Sequence, residues 1–201
     1  MDIIKYCIDF FEQYIGRKID LHANFYEPFR TACNRGKLKV VKYLIDISEQ
    51  YSGKKIDIHS ENDYAFRKSC DFHNINILQY LIGISEQYSG TKIDIHCDNE
   101  YVFRMACGYG YIDIVVYLIN ISEEYSGKKI DLYTENYFAL REICKYKHTK
   151  MIQYICDIAP QYTGKQIEID AKDKFILINP VNVIQHVEPV LTLLAVPWNN
   201  I

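Results

Sequence analysis

Cysteine and histidine side chains recur along this sequence at spacings that could support chemistry. Cys70 precedes His73 by three residues and Cys144 precedes His148 by four, which are spacings typical of zinc ligands. A structural zinc site takes four ligands, however, and no second pair accompanies either of these. We therefore expect no bound metal and no other cofactor.

The neighbours His96 and Cys97 suggest another kind of chemistry, in which a base activates a thiol nucleophile. Adjacent side chains on an extended segment point to opposite sides, which disfavours a hydrogen bond between these two. The motifs GxSxG, GxxxxGK and HExxH are also missing from the sequence. We predict that the chain has no catalytic residues and is not an enzyme, with a thiol-dependent hydrolase as an alternative.

These residues recur because the sequence repeats itself every 37 residues. The best conserved stretch occurs in five copies: Tyr6–His22, Tyr43–His59, Tyr80–His96, Tyr117–Tyr133 and, more loosely, Tyr154–Asp170. Five copies at one fixed step predict a protein built from stacked units of the same structure.

Residues 62–96 show what one unit should form. A short helical run ends at a break over 71–74, and a longer run from Ile77 places apolar residues at the i, i+3, i+4, i+7 spacing of a helix. Gly90 should end that helix. The alternation of polar and apolar residues over 91–96 then predicts a short extended segment, called here the finger. Both helices are too short to be stable alone, so neighbouring units must supply the core.

The order of residues within each unit resembles the ankyrin repeat. Residues 27–36, Glu-Pro-Phe-Arg-Thr-Ala-Cys-Asn-Arg-Gly, match that family's first helix and turn, and Leu38–Leu44 matches its second helix. Met105–Gly110 followed by Ile112–Leu118 matches equally well. The period exceeds the roughly 33 residues of the usual repeat, and this long variant is similar to the ankyrin-repeat proteins of giant DNA viruses, mimivirus-like in character. The resemblance implies an all-α ankyrin-repeat solenoid of stacked helix-turn-helix units with short extended fingers.

The repeat boundaries predict six parts. They are an N-terminal half-repeat at 1–23, ankyrin repeats at 24–60, 61–97, 98–134 and 135–170, and a divergent C-terminal cap at 171–201. Within this cap, Asn179 and Pro180 are expected to begin a helix that continues to Leu194.

Composition and charge exclude several classes of function. A net charge of −3 argues against a nucleic-acid binder, whose affinity would rest on a basic surface. Charged residues interrupt every apolar stretch before the length of about 18 residues that a membrane span needs. Seven cysteines without a CxxC pair indicate a reducing compartment. We expect an intracellular monomer, located in the host cytoplasm if the viral resemblance holds.

Residues that recur between copies are expected to build the scaffold. The scaffold set comprises the first-helix cysteines 33, 70, 107 and 144, the finger histidines 22, 59 and 96, the arginines 30, 67, 104 and 141, and two tyrosine rows that start at Tyr6 and Tyr14. The histidines are expected to bond to the next finger, and the arginines to tie loops together. Cys97 occupies a variable finger position and is expected to be exposed.

Residues that vary between copies are free to contact a partner, and the resemblance implies that they line the concave face of the solenoid. The candidates for partner binding are Tyr26, Thr31, Asp63, Lys68, Glu100, Met105, Tyr109, Tyr137 and Glu142. The predicted function is a non-catalytic scaffold for protein–protein interaction, whose unidentified partner is a host protein if the chain is viral. An alternative is an adaptor that recruits a host ubiquitin ligase through its C-terminal end.

Overall fold

A computed structural model describes residues 2–164, 166–169 and 175–178. Helices dominate these residues and pack against one another, as the sequence predicts. In chain order they are α1 Asp2–Ile15, α2 Ala23–Asn34, α3 Leu38–Ser52, α4 Ser60–Ser69, α5 Ile75–Ser89, α6 Cys97–Tyr109, α7 Ile112–Ser126, α8 Thr134–Lys145 and α9 Thr149–Thr163. A first helix and a longer second helix therefore alternate through the repeats.

The second helices α3, α5, α7 and α9 have 15 residues each, and α5 shows why they form. Its apolar stripe is buried, with Leu78 and Leu81 fully shielded from solvent. The helix ends at Gly90, whose φ of +82° is the left-handed conformation that a glycine adopts at little cost. The predicted helix and its glycine stop are both confirmed.

The described chain separates into two compact units, of which the first comprises Met1–Val102 and Ser122–Lys128. Within this unit α2 packs on α4 and α3 packs on α5, so that equivalent helices of neighbouring repeats lie side by side. Phe29 of α2 and Phe66 of α4 hold the same repeat position and are both buried.

The second unit comprises Phe103–Ile121 and Lys129–Ile201, and in it α8 packs on α9. Strands β1 Gln166–Ile169 and β2 Phe175–Ile178 form an antiparallel hairpin that lies against these helices. Among the described residues this hairpin is the departure from the predicted all-α fold. It arises because the last finger pairs with the apolar segment that replaces the next first helix. The helix predicted from Asn179 lies outside the described residues.

The fingers are packed rather than free, and the finger after α5 is representative. Its alternation of polar and apolar residues places Ile93 and Ile95 in the core, as predicted. Ser85 of α5 is buried beside it, and its hydroxyl accepts the backbone N–H of Ile93 at 3.2 Å and donates to the carbonyl of Ile82 at 3.0 Å. A buried serine thus fixes the finger to the second helix of its own repeat.

The turn between the two helices of a repeat also contains a left-handed residue. It is Gly36 (φ +70°), His73 (φ +57°), Gly110 (φ +78°) or Lys147 (φ +55°) in successive repeats. In the first unit Asn74, which follows His73, lies against Gly36. In the second unit His148, which follows Lys147, lies against Gly110. The Asn74 amide donates to the carbonyl of Asn34 at 2.9 Å beside Gly36, and the His148 ring lies 2.9 Å from the carbonyl of Gly108 beside Gly110.

Candidate functional site

Each finger leads into its first helix through one turn of left-handed backbone. In the second repeat, Glu61, Asn62 and Asp63 have φ between +55° and +58°. The same conformation recurs at 24–26, 98–100 and 135–137. Left-handed backbone costs roughly 1–2 kcal/mol for each non-glycine residue, so the surrounding contacts must hold these turns in place.

Two side chains support the left-handed turn from either end. The Asp57 carboxylate accepts the backbone N–H of His59 at 2.9 Å, which is an Asx turn. Arg67 of α4 donates to the carbonyls of Glu61 and Asn62, both at 2.9 Å. Arg30 in the first repeat and Arg141 in the fourth donate to their own turns in the same way. Arg67 also reaches the Asp98 carboxylate of the next turn at 3.3 Å, and this contact joins two loops as predicted.

The finger also grips the second helix of the following repeat, and we call this set of contacts the finger clasp. In the clasp formed by Lys55, His59, Tyr88 and Ser89, the Lys55 ammonium lies 5.3 Å from the centre of the Tyr88 ring and 3.5 Å from its carbonyl oxygen. His59 Nε2 lies 2.8 Å from the Ser89 hydroxyl. His59 Nε2 also lies 3.0 Å from the Thr91 hydroxyl of the next finger, so the predicted bond to that finger exists, although through a side chain and shared with a helix end.

The clasp recurs with the same geometry. The lysine–tyrosine pairs are Lys18–Tyr51, Lys92–Tyr125 and Lys129–Tyr162, at 5.1–5.2 Å from ammonium to ring centre. The hydroxyl partners are His22–Ser52, His96–Ser126 and Tyr133–Thr163, at 2.5–2.7 Å. Where the histidine is replaced by tyrosine, the hydrogen bond survives, so the bond rather than the imidazole is retained.

A carboxylate extends the clasp into a chain of three groups that resembles a serine-hydrolase triad. His59 Nδ1 lies 2.7 Å from a carboxylate oxygen of Asp63, while its Nε2 contacts the Ser89 hydroxyl. His96 is placed in the same way between Glu100 at 2.8 Å and Ser126 at 2.7 Å. Sequence reasoning missed both chains because their members lie 30 residues apart. The available signal was the recurring Asp-x-His that precedes three of the four left-handed turns.

Local bonding disfavours hydrolysis by this cluster. The Ser89 hydroxyl lies 2.7 Å from the carbonyl of Ser85 and 3.1 Å from that of Thr91, so its single proton is held by backbone. The serine proton is then not available to His59, so the hydrogen bond from serine to histidine that a triad requires is not formed. Ser89 is also the last residue of α5, where the negative end of the helix dipole would oppose a developing oxyanion. The arrangement is that of a structural latch.

Two candidates for partner binding are the carboxylates of these carboxylate–histidine–serine chains, and both are buried. Asp63 and Glu100 are only 5% and 6% exposed, because they sit behind His59 and His96. Burial raises the pKa of Asp63, although hydrogen bonds from the Asp94 N–H and from His59 act in the opposite direction. A partner could reach these carboxylates only by displacing the histidines.

Cys97 is buried, and the prediction that it is exposed is wrong. It begins α6, directly before the left-handed turn at 98–100, and retains 4% of its accessible surface. Burial raises the pKa of its thiol to about 12, and the carboxylates of Asp63 and Asp94 add to the shift. A protonated, inaccessible thiol is a poor nucleophile, which disfavours the hydrolase alternative.

A row of alternating rings and cations lies along the first helices of the first unit. Arg30 stacks on Tyr64 at 4.8 Å, and Arg67 lies between Tyr64 and Tyr101 at 5.7 and 5.5 Å. Lys68 continues the row, because its ammonium donates to the Tyr101 hydroxyl at 3.2 Å and pairs with a neighbouring carboxylate. This row orders the candidate Lys68 while leaving it partly exposed.

The remaining candidates lie at least partly in solvent. In the first unit they are Tyr26, whose ring meets His22 edge-on at 5.2 Å, and Thr31, which is exposed. In the second unit they are the half-buried Met105, Tyr137 and Glu142 and the exposed Tyr109. The structure therefore presents seven of the nine predicted contact residues.

No group of three histidine, cysteine or acidic side chains that could hold a metal ion occurs among the residues the structure describes. Cys33, Cys70, Cys107 and Cys144 are buried, as expected of packing residues. None of the helices in the described part of the chain is both long and apolar enough to span a bilayer. The ligase-adaptor alternative depends on 171–201, of which only 175–178 are described.

Comparison with known proteins adds no relative: no family model, no curated protein and no solved structure matches this chain.

Proposed function

We propose that this chain is a non-catalytic scaffold that binds a partner protein. The proposal rests on a difference between the recurring and the variable side chains of the repeat. Recurring side chains such as His59 and Arg67 are engaged in latches and turns, whereas variable ones such as Thr31 and Tyr109 reach solvent. Variation at exposed positions on a fixed framework is the pattern expected of a binding surface.

We further propose that the framework is an ankyrin-type solenoid of the giant-virus kind. The resemblance in sequence supports this. The regular spacing of the helix pairs supports it too, because they begin every 37 residues, at Ala23, Ser60, Cys97 and Thr134. In that arrangement the seven accessible candidates belong to the concave face. An intracellular host protein is then the partner, because seven cysteines without a CxxC pair suit a reducing compartment.

Affinity capture with charged surface variants tests the proposal. Thr31→Arg and Met105→Arg place a large cation on the candidate surface of each unit, and Gln50→Arg and Gln87→Arg place the same charge at exposed positions of second helices. Quantitative mass spectrometry of proteins captured from a cell extract should reveal a partner whose recovery falls at least about tenfold with the first two variants.

Recovery of that partner should be unchanged with Gln50→Arg and Gln87→Arg. Equal losses with all four variants would show that binding depends on net charge rather than on this surface. A partner insensitive to both Thr31→Arg and Met105→Arg would place the interaction elsewhere on the chain.

A further inference from the structure

One position in the turn between the two helices of a repeat carries an exposed aromatic ring in three successive repeats. The residues are Phe72, Tyr109 and Tyr146, which are 66%, 48% and 54% exposed. The same position in the first of these turns is Arg35, which is also exposed. Exposure is therefore a property of this turn position, and large exposed rings are a common feature of binding surfaces.

Phe72 differs from the other two rings in its surroundings. The centre of the Tyr109 ring lies 5.4 Å from that of Tyr111, and the Lys145 ammonium lies 4.6 Å from the centre of the Tyr146 ring. The ring of Phe72 contacts no other ring and no cation among the residues that the structure describes. Phe72 therefore presents apolar surface that its neighbours leave open.

Phe72 lines a cleft of about 400 Å³ between the turns of two neighbouring repeats, both in the first unit. The other residues that line this turn cleft are Asn34, Arg35, Lys37 and Asn74. Arg35 and Lys37 are exposed, and neither forms an ion pair with a carboxylate in the described part of the chain. The turn cleft thus combines an open ring with two cations.

The acidic residue of this turn is already paired elsewhere. Asp71 precedes Phe72, and its carboxylate lies 2.8 Å from the Lys68 ammonium. Lys68 also donates to the Tyr101 hydroxyl at 3.2 Å, so this pair extends toward the following repeat. Because Asp71 does not supply a counter-charge to Arg35, an occupant that complements the turn cleft must be acidic.

The amide groups of the turn cleft are used within the protein, which disfavours a small-molecule site. The Asn74 amide donates to the carbonyls of Cys33 at 3.3 Å and Asn34 at 2.9 Å, and its oxygen lies against Gly36. The side-chain oxygen of Asn34 is buried. Small-molecule sites need convergent polar groups that fix the ligand, and no amide edge is left here to read a base or a sugar. Two cations beside a ring suit a carboxylate next to an apolar residue in a peptide segment.

We propose that the turn cleft binds an acidic segment of a partner protein, in which a carboxylate neighbours an apolar or aromatic residue. The carboxylate would pair with Arg35 and Lys37, and the apolar side chain would pack on the exposed ring of Phe72. None of these three residues belongs to the surface proposed above for partner binding, so the two proposals can fail separately.

The test is an NMR titration of the full chain with the synthetic peptide Asp-Glu-Phe-Glu-Asp. We expect saturable shifts of the Phe72 ring resonances at millimolar peptide, because exposed ion pairs and one ring contact support only weak binding. A peptide with alanine in place of phenylalanine should bind about two- to tenfold more weakly, which is the contribution of an aromatic pair. The charge-inverted peptide Lys-Arg-Phe-Arg-Lys should not saturate.

Lys37→Glu should weaken binding of the acidic peptide about three- to tenfold, because repulsion replaces attraction. Lys54→Glu is the matched control, since it makes the same change of charge at an exposed position of the same unit. The two lysines flank opposite ends of the 15-residue helix α3, about 22 Å apart by helical rise, which exceeds the screening length of about 8 Å at physiological salt. Lys54→Glu should therefore leave the affinity within about twofold.

The proposal is overturned if the Phe72 shifts do not saturate by about 10 mM peptide, or if Lys54→Glu weakens binding as much as Lys37→Glu. Tighter binding of adenosine monophosphate than of the acidic peptide would also overturn it, and would assign the turn cleft to a nucleotide. Phe72 shifts that change on diluting the protein alone would assign the cleft to contact between copies of this chain instead.

Discussion

At the scale of single residues, burial decides which side chains are available. Asp63, Glu100 and Cys97 differ between copies, and variation alone marked them as contact or finger-tip residues. Asp63 and Glu100 are the last residues of left-handed turns and Cys97 directly precedes one, and all three are buried. One residue in the left-handed conformation is common, but three in succession without glycine run against backbone preference. That conformation could not be predicted from the sequence, and the errors at these positions follow from it.

Cys97 should be unreactive in the folded protein. With its pKa raised to about 12, it has almost no thiolate at pH 8, so iodoacetamide should label it only after unfolding. Because the folded pKa exceeds the unfolded one, this thiol stabilises the fold at neutral pH and loses that contribution as pH rises through the alkaline range. Mass spectrometry of labelled peptides with and without urea measures this, and rapid labelling of Cys97 without urea would contradict it.

Lys147→Gly should stabilise the protein. Lys147 has a φ of +55° at a position where two other repeats have glycine. Relief of left-handed strain outweighs the added freedom of glycine in the unfolded chain, and we expect a gain of about 0.5–1 kcal/mol in the free energy of unfolding by urea titration. The reciprocal change Gly36→Ala should be destabilising, because a Cβ there would clash with the Asn74 amide. A loss of stability in Lys147→Gly would contradict this account.

At the scale of elements, the sequence predicts the helices well and their connections poorly. Apolar periodicity and Gly90 identify α5 because both are local signals. The finger clasp joins His59 to Ser89 and Lys55 to Tyr88, over 30 and 33 residues, and so has no local signal. The hairpin of β1 and β2 was missed for a related reason. Its second strand occupies a place where the repeat pattern favours a helix.

The finger clasp should contribute measurably to stability. Tyr51→Phe removes the hydroxyl that accepts the Ile19 N–H and should lower the free energy of unfolding by about 0.5–1.5 kcal/mol. Tyr14→Phe is the matched control at the same repeat position, where the hydroxyl is in solvent, and it should change stability by less than about 0.5 kcal/mol. Equal effects in urea titrations would show that the clasp hydrogen bond is energetically neutral.

At the scale of the whole molecule, cohesion comes from contacts between neighbouring repeats. The clasps bridge 30–33 residues, and the Asn74 and His148 contacts bridge 40. The stability of such a chain is approximately a sum of terms for each repeat and each junction. Each of the two compact units contains such contacts between its own repeats.

The alternation of Gly36, His73, Gly110 and Lys147 constrains how such a chain can lengthen by duplication. Asn74 lies against Gly36, where there is no side chain. If residues 61–97 were duplicated and the copy inserted after residue 97, the asparagine of the copy would lie against the side chain of His73 instead. That insertion should unfold at a lower temperature than the same insertion with His73→Gly in the covered copy, as measured by calorimetry. If the two variants melt together, the alternation is incidental. If the insertion that keeps His73 melts at the lower temperature, the segment that can be duplicated without loss of stability is a pair of repeats, and such arrays should gain repeats two at a time.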